Sequence, residues 1–330
     1  MNATIIKGIS FDPYTNLALE EVLLNQVEDD EIILYLWQNQ STIVIGYNQN
    51  PYIECYMEPI ENTEVTLARR LSGGGAVYHD LGNLNFTFIG KEPIFDVSKN
   101  NQIILDALAS LGIEATVSGR NDLTINGSKF SGHAYYQKQQ KNYHHGTIMV
   151  NVNKDKLSTY LKPHLSKLQS HQVKSVKSRV INLVDVKADI TVDDVTSALT
   201  LAFSKGYCTP KERLLTTSEM VELEALRSKY ASQEWLFPRR MKSNLNREFV
   251  TNIGLINVEA FIEADKIKDI QLFSDMMNPH LLTEIKEAWI NVGFQKNQLL
   301  QPLQHLILKP QELDALISVV TDLFTEEQDG

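Results

Sequence analysis

The stretch "LARRLSGGGAVYHD" (residues 67–80), followed at once by "NLNFTFIG" (83–90), decides the fold class. Gly73, Gly74 and Gly75 leave backbone N–H groups unshielded by Cβ atoms, and such a run is able to wrap the oxygens of a phosphate. The two common phosphate loops are excluded. No Gly-Lys-Ser/Thr follows the glycines, and the residues after them are strand formers, not the helix that a Gly-x-Gly-x-x-Gly turn opens. A glycine loop feeding a strand, with strands and helices mixed along the rest of the chain, argues for an α+β domain around a mixed or antiparallel sheet. Taken alone, the same residues read more simply as a hairpin turn flanked by two surface arginines, Arg69 and Arg70.

Working outward, "EIILYLWQ" (31–38) and "STIVIGY" (41–47) are β-branched and aromatic runs joined by a short polar turn, which predicts a hairpin of buried strands. "EVTLARR" (64–70) continues the strand signal. Ile103, Ile104, Ala107, Leu108 and Leu111 recur at helical spacing and predict a helix over Lys99–Leu111, stopped by Gly112. "IEATVSG", "NDLTING", "SKFSGHAYYQ" and "GTIMVNV" predict four more short strands. Beyond residue 190 the texture is helical. "TVDDVTSALTLAFSKG" has a Thr191 start and a Gly206 stop, and "SEMVELEALRSKYAS" is a second helix. "NREFVTNIGLINVEAFIEADK" alternates as a hairpin does, and the last 50 residues hold two or three amphipathic helices. The polar, basic "PRRMKSNLNRE" marks a boundary near residue 240, dividing 1–240 from a smaller unit over 241–330.

The chain of 330 residues, 43% apolar and 22% charged, is long enough to bury a substantial core, and its net charge of −10 argues against a nucleic-acid binder. Cys55 and Cys208 lie far apart without metal-ligand spacing, which fits a reduced cytoplasm. With no run of about 18 apolar residues and no signal-like start, no membrane span or secretion is expected.

Several segments are candidates for chemistry. "SGRNDLTINGSKFSGHA" (118–134) joins Arg120, Asn121, Asp122 and Lys129 in one probable hairpin, where Lys129 either meets an anion or protects a strand edge. In "YHHGTIMV" (143–150) adjacent side chains of a strand face opposite ways, so one histidine turned into the core is expected rather than a two-histidine metal site. Lys174, Lys177 and Arg179, in and beside "SVKSRVINL" (175–183), could face an acidic partner or solvent. No Gly-x-Ser-x-Gly is present, so a nucleophilic hydrolase lacks support.

Jointly and in this order, "RRLSGGGAVYHDLGNLNF", "GRNDLTINGSKFSGHAYY", "YHHGT" and "SVKSRVINL" resemble the lipoate-protein ligase A family, of the superfamily that also holds biotin-protein ligases and octanoyltransferases. The match runs from about Ile32 to Leu183 and more loosely beyond. The resemblance implies an α+β catalytic domain of the class II synthetase and biotin-ligase type with a mixed β-sheet, plus a small α+β C-terminal accessory domain. It implies a two-step reaction, in which ATP and lipoate give lipoyl-AMP and an acceptor lysine then displaces AMP. It implies as acceptors the lipoyl domains of 2-oxoacid dehydrogenase complexes or the glycine-cleavage H protein. Carried over by position, it makes Arg70 and Gly75, Ala76, Val77 and Tyr78 the adenylate-binding loop, shaped by Ser72, Gly73 and Gly74. Lys129 becomes the catalytic lysine touching both nucleotide and lipoate, and Asn121, Asp122, Gly146 and Thr147 line the pocket. His79 occupies a motif position, and Val44, Ile45 and Val77 are expected along an acyl groove. Mg²⁺ is implied by the departing pyrophosphate, although no compact metal box is visible. Two departures stand out. Tyr47 occurs where the family often has arginine, and Pro238 in "EWLFPRR" where glycine is usual. Two alternatives remain: an ATP-independent octanoyl or lipoyl transferase, for which Cys55 is the candidate nucleophile, and a non-catalytic lipoyl-domain adaptor.

Overall fold

In the structure, a computed structural model, residues 1–119, 121–162 and 180–325 are described. Arg120, Lys174, Lys177 and Arg179 lie outside them.

An eight-stranded mixed sheet runs in the order β11-β1-β2-β6-β10-β9-β8-β7. Its strands are β1 (Asn2–Lys7), β2 (Glu31–Trp37), β6 (Asn83–Lys91), β7 (Thr116–Ser118), β8 (Asp122–Ile125), β9 (Ser128–Lys138), β10 (Lys141–Met149) and β11 (Lys211–Glu212). β1 is parallel to both its neighbours, and the remaining pairs are antiparallel. A second, three-stranded sheet places β3 (Thr42–Ile45) between β4 (Thr66–Arg69) and β5 (Val77–His79).

The expected hairpin over 31–47 does not form. Both edges of β2 are occupied, by β1 and β6, so the chain leaves the large sheet at Gln38–Gln40 and β3 starts the second sheet. Buried Asn16 fixes this exit, donating to the carbonyl of Gln38 at 2.8 Å and to the side chain of Asn39 at 2.9 Å.

Both faces of the large sheet are covered, which is why β2 and β6 read as nearly continuous apolar runs. One face packs Leu34, Leu36, Phe86 and Phe88 against helices Val97–Ser110 and Val192–Gly206. The first of these starts two residues earlier than the sequence spacing predicts, because Asp96 caps it by accepting from the amides of Ser98 and Lys99. The other face packs Tyr35, Trp37 and Tyr143 against helices Pro13–Gln26 and Thr217–Tyr230 and the second sheet. Helix Pro13–Gln26 escapes a periodicity search because it is buried from Asn16 through Leu24 and lacks a polar face.

The C-terminal residues build their own core. β12 (Leu245–Thr251), β13 (Gly254–Glu263) and β14 (Lys266–Ser274) form an antiparallel sheet. It packs with helices Leu281–Trp289, Lys296–Leu303 and Pro310–Leu323 around Phe249, Ile270, Trp289 and Val319. No helix among the described residues is long and apolar enough to cross a membrane.

Candidate active site

A cavity of about 470 Å³ lies between the large sheet, the second sheet and the C-terminal unit. The alternation of β3 decides what it meets. Val44 points at the large sheet and lines the cavity with Val77, whereas Ile45 turns into a separate cluster with Tyr78 and Cys55. Ile45 is therefore not part of an acyl groove.

The glycine loop forms one wall through Gly74, Gly75, Ala76 and Val77. Arg70 shapes it from within. Its buried guanidinium donates to the carbonyls of Val44 at 3.1 Å, Gly73 at 2.8 Å and Gly75 at 2.8 Å, and its Nε donates to Ser72 Oγ at 3.0 Å. Burial brings its pKa down to about 10, so it stays charged at neutral pH. Arg70 also lines the cavity, so it braces the loop from within and places its charge beside the space the loop encloses.

Ser72 and Gly73 do not line the cavity. Ser72 is fully buried in a relay: its Oγ lies 2.8 Å from His145 Nε2, and His145 Nδ1 lies 2.8 Å from Glu20 Oε1. Glu20 Oε1 also accepts from Thr87 Oγ1 at 2.7 Å, which in turn accepts from Trp37 Nε1 at 3.1 Å. With the His145 proton on Nδ1, Ser72 donates to Nε2, and the buried cation Arg70 connects to the buried acid Glu20 through satisfied hydrogen bonds. The bareness of Gly73 serves a close approach: a Cβ there would lie 2.2 Å from the carbonyl oxygen of Met276. Gly74, at φ +90°, takes a conformation that disfavours any other residue, and its amide donates to that carbonyl at 3.0 Å. Tyr78 turns away and stacks on Tyr160, with ring centroids 5.9 Å apart.

Across the cavity stand Asn121, Asp122, Lys129, Gly146 and Thr147. Lys129 Nζ is 2.7 Å from Asp122 Oδ1, both side chains being about two-fifths exposed (39% and 40%). The strand lysine therefore faces the cavity rather than guarding an edge. Thr147 Oγ1 accepts from the amide of Gly132 at 3.2 Å and ties β10 to β9 beside it.

The expectation of one inward histidine is corrected: His144 and His145 are both buried, because β10 is a central strand of a sheet covered on both faces. His145 belongs to the relay described above. His144 Nε2 lies 3.0 Å from His133 Nδ1 on the opposite face, and burial pushes the pKa of His133 down to about 3 and that of His144 well below its usual range.

Leu17, Trp37, His79 and Asn85 also line the cavity, and only His79 was singled out from sequence. Two signals pointed to this region: adjacent Glu20 and Glu21 in an apolar run, and Asn83 and Asn85 interrupting the strand formers of β6. Tyr47 does not line the cavity. Its ring packs edge-on against Trp235 with centroids 5.7 Å apart, and its carbonyl accepts from Arg69 at 2.8 Å. Ile253, Gly254, Asp275 and Met277 of the C-terminal unit line it as well.

A two-fifths-exposed lysine thus faces a glycine loop across one cavity that continues to apolar side chains, and comparison with known proteins shows the family. Residues 12–204 match the family described as lipoyl protein ligase A/B catalytic domain, and residues 240–319 match the bacterial lipoate protein ligase C-terminus. A lipoate-protein ligase A of Psychrobacter cryohalolentis is 36% identical over 100% of both chains. Among solved structures, P. falciparum LipL1 in complex with lipoate is similar at 29% identity and TM-score 0.86, covering 98% of this chain and 100% of that one. A bi-partite lipoate protein ligase of Thermoplasma acidophilum, studied with its E2 lipoyl domain, matches at 28% identity and TM-score 0.66, covering 74% of this chain and 100% of that one. A lipoate-protein ligase A bound with ATP matches at 27% identity and TM-score 0.63, covering 71% of this chain and 98% of that one. The chain belongs to the lipoate–protein ligase family, and it is a ligase.

Proposed function

We propose that the cavity activates lipoate with ATP and passes the lipoyl group to a lysine of an acceptor lipoyl domain. The observation that carries this is the placing of Lys129 opposite the Arg70-braced glycine loop across one cavity that continues to Leu17, Trp37 and Val44. Joining a carboxylate to the α-phosphate of ATP brings two anions together, so donors and positive charge must stand ready where charge develops. Lys129 supplies a cation at the mouth, the amides of Gly75, Ala76 and Val77 supply donors, and Arg70 holds those amides in place. Asn121, Asp122, Gly146 and Thr147 would line the nucleotide and carboxylate end, and the apolar end would take the tail.

Mg²⁺ enters this reading as part of the substrate. Asp122 and Asp275 line the cavity, while no group of three or more His, Cys, Asp or Glu side chains able to hold a metal occurs among the described residues. That donor set fits an ion carried in on the phosphates and held by one or two carboxylates and water.

A cysteine-dependent acyl transfer is disfavoured. Cys55 is fully buried away from the cavity, and burial pushes its thiol up to about 12, which denies it a reactive thiolate. The two cysteines are unpaired, and we place the enzyme in the cytoplasm and its accessory unit after about residue 240. The acceptor would be a lipoyl domain of a 2-oxoacid dehydrogenase complex or the glycine-cleavage H protein. Lipoate-dependent exchange between ATP and labelled pyrophosphate tests the first step. Exchange that requires lipoate is expected, and its absence from folded protein would refute the reading.

A further inference from the structure

Lys129 reaches the cavity through an irregularity in its own strand. β8 and β9 pair Leu123 with Ser131 and Thr124 with Lys129, so β9 advances two residues where β8 advances one, and Phe130 is the extra residue of a β-bulge. Residues three apart on an unbroken strand face opposite ways. Here Lys129 and Gly132 both line the cavity, while Phe130 between them packs into the core beneath the helices. The bulge thus turns Lys129 onto the face that carries Gly132, whose partner on β8 is Asp122.

The lysine side chain lies over Gly132. A Cβ at Gly132 would stand 2.8 Å from both Cε and Nζ of Lys129 and 4.0 Å from Asp122 Oδ1, the oxygen that Nζ meets at 2.7 Å. The backbone itself does not require glycine, because Gly132 has no positive φ. The surrounding main chain is held by other bonds. The amide of Gly132 donates to Thr147 Oγ1 at 3.2 Å, that of His133 to the carbonyl of Asn121 at 2.7 Å, and that of Ile181 to the carbonyl of Lys129 at 2.9 Å. What yields to a methyl group at Gly132 is therefore the far end of the lysine. Gly146 on β10 differs, since a Cβ there would lie 2.6 Å from Phe86 Cζ and 2.8 Å from the carbonyl oxygen of Gly132, both packed within the sheet.

We propose that Gly132 is a positioning residue: its missing side chain, brought under Lys129 by the bulge at Phe130, forms the slot that fixes where the Lys129 ammonium stands in the cavity. Non-bonded atoms settle about 3.5–4.0 Å apart, so a methyl group at Gly132 displaces the end of the lysine by roughly 1 Å. A misplacement of that size costs up to about 10²-fold in rate when the displaced group serves the reacting atoms. This deepens the ligase reading and rests on it.

The test is lipoate-dependent ATP–pyrophosphate exchange by the full chain as wild type, Gly132→Ala, Lys129→Ala and the double variant, with thermal unfolding of each. Calorimetry adds the affinity for ATP of the two variants that lack Lys129. Gly132→Ala is expected to lower kcat by roughly 10- to 100-fold while the thermal midpoint hardly moves. In the Lys129→Ala background the same replacement is expected to change neither the remaining exchange nor the affinity for ATP, because the side chain it displaces is gone. Undiminished exchange in Gly132→Ala or in Lys129→Ala overturns the proposal, as does a lowered midpoint in Gly132→Ala. So does a further loss of exchange or affinity in the double variant, which would set the methyl group against the ligand rather than against Lys129. Lipoate-dependent exchange by the wild type keeps the ligase reading in each of these cases, and its absence overturns both.

Discussion

At the scale of single residues, Lys129 and Arg70 divide the work that the sequence presents as two similar positive charges. Arg70 is committed to loop carbonyls, and Lys129 is two-fifths exposed and paired with Asp122. Lys129→Ala is therefore expected to lower adenylation by at least about 10²-fold, the usual loss for a donor aimed at developing charge. An exposed pair of this kind contributes only about 0–1 kcal/mol to stability, so the thermal midpoint should hardly move. Residual activity with a large stability loss would contradict a site role. Ser72→Ala should behave in the opposite way. It leaves His145 Nε2 without its partner and removes one acceptor of Arg70 in a fully buried place, at a cost of roughly 1–3 kcal/mol in denaturant unfolding. An unchanged unfolding midpoint would show the relay to be unimportant. Motif spacing points to Lys129 and the glycines because they carry charge or lack side chains. It hides the relay because Glu20, Ser72 and His145 meet only through tertiary packing.

At the scale of elements, the strand and helix types followed from alternation and caps, and the pairing did not. The residues from Glu31 to Tyr47 contain two good strands, but a local pattern cannot show that β1 and β6 already occupy both edges of the first. The same blindness affected "YHHGT", since opposite-facing histidines are both interior once helices cover one face of the sheet and further helices with a second sheet cover the other. This placement has a pH consequence. His79 and His133 titrate near 3 in the fold, and His144 lies well below its ordinary value; unfolded, each binds a proton near 6.5. Between those values the unfolded chain holds more protons, so stability falls as pH falls below about 6.5, by up to ~1.4 kcal/mol per pH unit for each histidine. Urea midpoints should drop from pH 7 to pH 5, and drop less in His133→Phe. A flat profile would contradict neutral buried imidazoles.

At the scale of the whole molecule, the glycine loop serves both units. Gly74 donates to Met276, the amide of Ser274 donates to the carbonyl of Asn48 at 2.9 Å, and Asn48 Nδ2 donates to the carbonyl of Pro279 at 3.0 Å. Residues of both units line one cavity, so ligands bound there would touch both units and bias how they sit together. Limited proteolysis across 238–247 is expected to change when ATP and lipoate are added together. Gly73→Ala, whose Cβ would lie 2.2 Å from Met276 O, should raise cleavage there without ligands. Identical cleavage in all cases would mean that the two units do not separate.

The most direct test of the central claim combines the chain with ATP, Mg²⁺, lipoate and a purified lipoyl domain, and reads the mass of the acceptor. A gain of one lipoyl group on the acceptor lysine is expected, dependent on ATP and lost in Lys129→Ala. A gain without ATP, or one that survives loss of Lys129, would contradict activation at this cavity.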